Sequence, residues 1–73
     1  MPHVPAYERI AADLRAQIAS GEIAVGAPLP SMSKLRAKYG VSDTAVRNAL
    51  LMLRAEGITE GRPGVGVFVL RLP

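Results

Sequence analysis

The hydrophobic residues near the start of this chain recur every three or four positions, with charged and polar residues between them. This spacing predicts an amphipathic helix with one apolar face. Pro5 is a favourable helix start, and Gly21 is a typical helix end. The predicted apolar face consists of Tyr7, Ile10, Ala11, Leu14 and Ile18.

Two shorter helical patterns lie on either side of the tight break at residues 39–42. Ser31 is predicted to cap the first of them, and Gly40 to end it after about two turns. Ser42 is predicted to cap the next helix, and Gly57 to take the left-handed position that closes it. So short a turn makes two helices cross steeply and projects the start of the second, as a helix-turn-helix requires. The predicted apolar positions are Leu35 and Tyr39 in one helix and Val46, Ala49, Leu50 and Leu53 in the other.

The remaining segments are extended in the predicted fold. Residues 22–30 contain prolines and a glycine that oppose a helix, so we expect a connector with Ile23, Val25 and Leu29 buried and a very short strand at the Leu29 end. The β-prone runs 58–60 and 67–70, separated by residues 61–66, predict a hairpin with a glycine-rich tip. The predicted fold class is mainly α with a small β-hairpin: a winged helix-turn-helix of three helices plus a two-stranded wing. We expect a single domain over residues 1–73, with residues 1–5 as a flexible tail.

Composition limits what such a fold can contain. Hydrophobic residues make up 49% of the 73 residues but aromatic residues only 4%. The core must therefore be built from small aliphatic side chains, and we expect no enclosed effector-ligand pocket. The absence of cysteine excludes disulfides and thiolate metal sites and favours a reducing, cytoplasmic location. No apolar run approaches the roughly 20 residues that span a bilayer, so we expect no membrane association.

The charge balance and the polar residues narrow the function classes. The formal net charge of +3 suits an anionic partner but is also common in small domains that bind none. His3 has no ligand or catalytic cluster around it in the sequence, and no histidine base lies near Ser31 or Ser42 to activate them. We therefore expect no enzyme activity, no metal and no cofactor.

Several short motifs occur in a fixed order along nearly the whole chain. They are Ser20-Gly21, Leu29-Pro30-Ser31, Gly40-Val41-Ser42, Val46-Arg47-x-Ala49-Leu50 and Gly64-x-Gly66-x-Phe68-Val69. Their joint spacing resembles the N-terminal DNA-binding domain of the GntR family of bacterial transcription regulators. The resemblance implies a two-fold dimer on a pseudo-palindromic operator in double-stranded DNA, acting at the nucleoid as a repressor. Family members usually carry a C-terminal effector-binding or dimerisation domain, so the chain is either an excised domain or a stand-alone regulator.

The resemblance implies that the third helix enters the major groove and that its exposed face contacts bases. Arg47 suits a guanine or a phosphate, although an ion pair with Asp43 one turn earlier is the alternative. Thr44 suits a phosphate or a thymine methyl group and Asn48 suits adenine, but either could be solvated surface. Asp43 either stabilises the helix N-terminus or accepts from a cytosine amino group.

The predicted backbone contacts surround this helix. Exposed N–H groups, basic side chains and a wing tip without bulky side chains all suit phosphates or the adjacent minor groove. Lys38 and Arg71 could join this surface or be solvated. The family commonly has Arg at the positions of Ser33 and Asp43, so site preference is expected to differ from that of typical relatives. The predicted contacts are Ser31, Ser33, Lys34, Arg36, Ser42, Arg62, Gly64, Val65 and Gly66.

With Leu51 and Met52, the third helix has more apolar positions than one buried face requires. Either they pack more deeply against the first helix or the hairpin, or they contact a second subunit or another domain. The second possibility defines the rival function: a winged-helix protein-interaction module with little DNA affinity that uses Leu51, Met52 and the hairpin.

Overall fold

Three helices and a two-stranded hairpin follow one another in a computed structural model that describes residues 4–73. The elements are α1 (Ala6–Ala19), α2 (Met32–Tyr39), α3 (Asp43–Ala55), β1 (Thr59–Arg62) and β2 (Gly66–Val69). This order confirms the predicted winged helix-turn-helix. Of the predicted flexible tail, residues 1–3, including His3, lie outside the described part. Val4 is exposed and Pro5 occupies the N-cap of α1.

Local capping fixes the sharp turn between α2 and α3. The Ser31 hydroxyl accepts from the Lys34 N–H at 3.2 Å, and the Ser42 hydroxyl accepts from the Ala45 N–H at 3.3 Å. Gly40 has φ 64°, in the left-handed region, and its N–H donates to the Arg36 carbonyl at 2.8 Å. Glycine adopts this conformation without the cost that a Cβ imposes. The predicted caps and the predicted end of α2 are therefore confirmed.

The core lies where α1 crosses α3, and α2 and β1 also pack against α3. Within the described residues it contains Ile10, Ala11, Leu14, Ile18, Leu29, Leu35, Val46, Ala49, Leu53, Ile58 and Val69. Leu50, which was predicted to belong to the buried stripe, is partly buried and packs against this core. It also lines an open cleft with Val67 of the wing.

Polar contacts add to this packing of α1. The Arg15 guanidinium donates to both carboxylate oxygens of Glu56 at 2.7 and 2.6 Å, which joins α1 to the end of α3. The Tyr39 hydroxyl donates to the Asp13 carboxylate, which joins α2 to α1. Bidentate and charge-assisted contacts of this kind restrict orientation as well as adding energy.

The connector between α1 and α2 runs beside β2. Gly26 N–H donates to the Val69 carbonyl and Leu29 N–H to the Val67 carbonyl, both at 2.8 Å. A single β-bridge joins Pro28 to Phe68, which confirms the expected short strand near Leu29. Leu29 is buried and Ile23 is partly buried, but Val25 is 49% exposed. The predicted burial of Val25 is wrong because backbone hydrogen bonds on either side hold this segment without its side chain.

The strands lie closer to the tip than the predicted runs 58–60 and 67–70, and Ile58 and Leu70 lie outside them. Thr59 pairs with Val69 and Arg62 with Gly66 in the antiparallel register. Residues 61 and 62 therefore belong to β1, and the predicted tip over residues 61–66 is too wide. Gly61 has no positive φ, so it continues the strand, whereas Gly64 (φ 74°) and Gly66 (φ 141°) need the freedom that glycine provides.

No helix in residues 4–73 is long and apolar enough to cross a membrane.

Candidate nucleic-acid interface

The first two turns of α3 present their polar side chains to solvent. Ser42 caps the helix, and the Arg47 side chain is 68% exposed. Val46 and Ala49 on the opposite side are fully buried, which fixes the rotation of α3 about its axis. The four residues of α3 that were predicted to belong to the DNA-binding site are all exposed on this projecting end: Asp43, Thr44, Arg47 and Asn48.

A polar network connects this end of α3 to α2. Arg47 Nη2 lies 3.7 Å from one Asp43 carboxylate oxygen, and Arg36 Nε lies 3.4 Å from the other. Arg36 Nη2 also donates to the Ser33 hydroxyl at 3.2 Å. The alternative interpretation of Arg47, an ion pair with Asp43, therefore describes the DNA-free protein. Four predicted site residues lie together in this network.

The start of α2 and the wing tip share a second region. Ser31, Val65 and Gly66 line one open cleft of about 290 Å³. Lys34, one turn into α2, lines a neighbouring cleft with Ser31. The structure thus brings residues that were predicted to contact the DNA backbone from two distant parts of the sequence to one side of the molecule.

The basic residues around the wing differ in their partners. Arg62 Nε lies 3.2 Å from the Glu60 carboxylate, and its guanidinium stacks 4.4 Å from the centre of the Phe68 ring. Arg54, at the end of α3, lines clefts together with wing residues. Arg54 is not among the site residues predicted from the sequence. Its position seven residues after Arg47, on the same helix face, is the signal that could have identified it.

Lys38 and Arg71 contact other parts of the domain. Lys38 Nζ lies 4.0 Å from the Asp13 carboxylate and 5.2 Å from the centre of the Tyr39 ring. Arg71 Nη2 donates to the Glu56 carbonyl at 3.0 Å, at the opposite end of α3 from Asp43. The structure therefore does not place Arg71 with the projecting end of α3.

Leu51 and Met52 have different environments. Leu51 is 52% exposed and lines a small cleft of about 150 Å³ with Leu50, Thr59 and Val67. Met52 is partly buried against the core. Deeper packing therefore accounts for Met52, and of these two side chains only Leu51 is exposed.

The shifted pKa values belong to packing contacts. Burial, and then the hydrogen bond to Asp13, raise the pKa of the Tyr39 hydroxyl. The hydrogen bond from Arg15 lowers the pKa of the Glu56 carboxyl. At neutral pH the Tyr39 hydroxyl is protonated and the Glu56 carboxyl is ionised, which are the states that these contacts require.

Comparison with protein families decides the classification. The family described as "Bacterial regulatory proteins, gntR family" matches residues 6–69. The chain belongs to the GntR family. Within residues 6–69 this GntR match covers all three helices and both strands.

Three GntR-domain relatives illustrate the range of regulators that this domain resembles. The Mannosyl-D-glycerate transport/metabolism system repressor MngR of Escherichia coli K12 is 44% identical over 69 residues, 94% of this chain and 29% of MngR. The Uxu operon regulator of Haemophilus influenzae is 40% identical over 67 residues, 92% of this chain and 25% of the regulator. The Glc operon transcriptional activator of Escherichia coli K12 is 40% identical over 68 residues, 93% of this chain and 27% of the activator. This GntR chain therefore spans less than a third of each relative's length.

Solved structures confirm the fold of this GntR domain. The DNA-binding domain of AraR in complex with operator ORR3 superposes with a TM-score of 0.89 at 26% identity, covering 93% of this chain and 82% of that chain. The N-terminal domain of AraR in complex with mutant ORR3 gives a TM-score of 0.90 at 26% identity, covering 94% and 99%.

Proposed function

We propose that this GntR-family chain is a sequence-specific DNA-binding domain of a bacterial transcription regulator. The observation that carries the proposal is the projecting end of α3, where a buried face fixes the helix and four side chains able to contact bases are exposed. The domain acts by occupying an operator and performs no chemical step. It works in the cytoplasm, at the nucleoid.

The dimensions of α3 suit the major groove. The helix has 13 residues and is about 20 Å long, and the groove, about 12 Å wide, admits a helix whose first turns contact base edges. Arg47 contacts guanine, and Asn48 contacts adenine. Thr44 contacts a phosphate or a thymine methyl group.

The surrounding residues position the DNA backbone. Ser31 and Ser42 lie at helix N-termini, where N–H groups and the helix dipole favour phosphate. The wing tip, with little side-chain bulk, lies against the adjacent minor groove. The positioning contacts are Ser31, Ser33, Lys34, Arg36, Ser42, Arg62, Gly64, Val65 and Gly66.

Two copies are needed for useful affinity. A single module of this kind buries about 600–1,000 Å² on DNA, which limits the contacts that it makes. Two domains related by two-fold symmetry double this area and require a pseudo-palindromic operator. Repression is the proposed direction of regulation because occupancy alone blocks a promoter, and the resemblance to MngR supports it.

A titration with random-sequence duplex at two salt concentrations tests the proposal. We expect the affinity for duplex DNA to fall steeply between roughly 50 and 200 mM salt, because phosphate contacts release counterions. Selection of bound sites from a random duplex pool then yields the operator and its half-site spacing. A reporter gene carrying that operator at its promoter should be repressed. Absence of binding even at low salt would instead favour the rival protein-interaction module, for which exposed Leu51 is the remaining support.

A further inference from the structure

Asp43 links guanidinium groups from two helices at the point where DNA would enter. Its two carboxylate oxygens lie 3.4 Å from Arg36 Nε of α2 and 3.7 Å from Arg47 Nη2 of α3. Arg36 is held on its other side by the Ser33 hydroxyl at 3.2 Å. All three charged side chains are about half exposed or more, so DNA can reach them.

Each of these arginines therefore has an internal anion that competes with DNA phosphate. A phosphate contact by Arg36 or Arg47 requires its ion pair with Asp43 to break or rearrange. The carboxylate also repels any phosphate that approaches the same end of α3. Both effects apply to DNA of every sequence, because phosphates carry no sequence information.

We propose that Asp43 is a specificity-determining residue that suppresses sequence-independent DNA binding. At the correct operator, guanine accepts from Arg47 and a cytosine amino group donates to the Asp43 carboxylate. Hydrogen bonds to the bases therefore replace the ion pair between these two side chains. At other sequences the carboxylate faces phosphates or base acceptors, and the arginines stay paired with it. This role rests on the proposed DNA-binding function.

The expected size of the effect follows from the two ion pairs. An exposed ion pair between an arginine and a carboxylate lowers the affinity of that arginine for a competing phosphate by roughly a factor of two. Releasing both Arg36 and Arg47 therefore raises affinity for arbitrary DNA about fourfold, before the loss of repulsion is added. Each released arginine that reaches a phosphate also steepens the slope of log affinity against log salt by about 0.9.

The test compares Asp43→Asn with a matched control, Glu56→Gln. Glu56 is also a carboxylate paired with an arginine, Arg15, at 2.6 Å. Each variant removes one negative charge and releases an arginine. Glu56, however, lies at the far end of α3, about 20 Å from Asp43, which is beyond the Debye length at physiological salt. Fluorescence anisotropy gives the Kd of wild type and variants for a random duplex and for the selected operator over a salt series. Circular dichroism confirms that each variant is folded.

Relative to Glu56→Gln, we expect Asp43→Asn to bind the random duplex about fourfold more tightly or better, with a steeper salt slope. The operator should gain less, so the ratio of operator to random affinity falls. Equal random-duplex affinities for the two variants, or equal gains on both duplexes, would overturn the inference while the proposed function stands. Failure of wild type to bind any duplex would overturn both.

A second variant pair separates the ion pairs from simple repulsion. In an Arg36→Gln background one of the two pairs is already absent, so Asp43→Asn should give only about half of its effect on a logarithmic scale. An undiminished effect in that background would show that Asp43 acts without holding Arg36, contrary to the inference.

Discussion

Arg47→Ala should leave the domain folded, because the wild-type side chain contributes little to stability. It is 68% exposed, and its contact in the domain is the i,i+4 pair with Asp43 at 3.7 Å. Such pairs stabilise a helix by about 0.2–0.5 kcal/mol, and the higher helix propensity of alanine offsets part of this. We expect the free energy of unfolding to change by less than about 0.5 kcal/mol in a urea titration.

DNA binding should respond much more strongly. A bidentate arginine–guanine contact contributes about 1–3 kcal/mol of discrimination, which corresponds to roughly 5- to 150-fold in affinity for each half-site. Fluorescence anisotropy with the selected operator measures this loss. Arg9→Ala, which removes an exposed arginine from α1, is the control for the change in net charge. If folded Arg47→Ala bound the operator as well as Arg9→Ala does, the placement of Arg47 on a base would be refuted.

Three further predictions concern the scaffold that holds α3. Tyr39→Phe removes the hydroxyl that donates to Asp13 and should cost about 1 kcal/mol, lowering Tm by about 4–8 °C in a calorimetric scan. The pKa of Glu56 is below its ordinary value of 4.5 because of Arg15, so its stabilisation is present above that pH and lost as pH falls through the lower folded-state value. A pH series of urea titrations should therefore show wild type losing its advantage over Glu56→Gln, about 1 kcal/mol at most for this exposed pair, in acid. Gly40→Ala should cost about 1–2 kcal/mol, because φ is 64° there although no atom lies within 4 Å of an added Cβ.

Each scaffold prediction has an outcome that contradicts it. An unchanged Tm in Tyr39→Phe would mean that the α1–α2 contact adds no stability. If the difference in free energy of unfolding between wild type and Glu56→Gln stayed constant across the acid range, the Glu56 carboxyl would not be the source of the pH dependence. For Gly40→Ala the control is Gly61→Ala, at a glycine with equal space but no positive φ. Equal costs at the two positions would exclude backbone strain as the cause.

Local rules predicted the elements that depend on neighbouring residues. Ser31 and Ser42 were identifiable as caps because each accepts from a backbone N–H three residues later. Gly40 was identifiable as a helix end because its left-handed conformation is a local property of the chain. The exposed face of α3 followed from helical periodicity alone.

Features that depend on tertiary contacts were not predictable in the same way. Val25 was predicted to be buried, but hydrogen bonds from Gly26 and Leu29 to β2 hold the connector and leave that side chain outside. Gly61 suggested a turn, yet strand pairing extends through it. The pair between Arg36 and Asp43 depends on the angle between two helices, which spacing along one helix does not specify.

Dimethyl sulfate interference on the selected operator tests the central claim most directly, because the reagent methylates guanine N7 in the major groove and adenine N3 in the minor groove. We predict that N7 methylation of guanines within each half-site blocks binding by the wild-type domain. We also predict that Arg47→Ala becomes insensitive to methylation at one of those guanines. Binding that tolerates N7 methylation throughout both half-sites would contradict the insertion of α3 into the major groove.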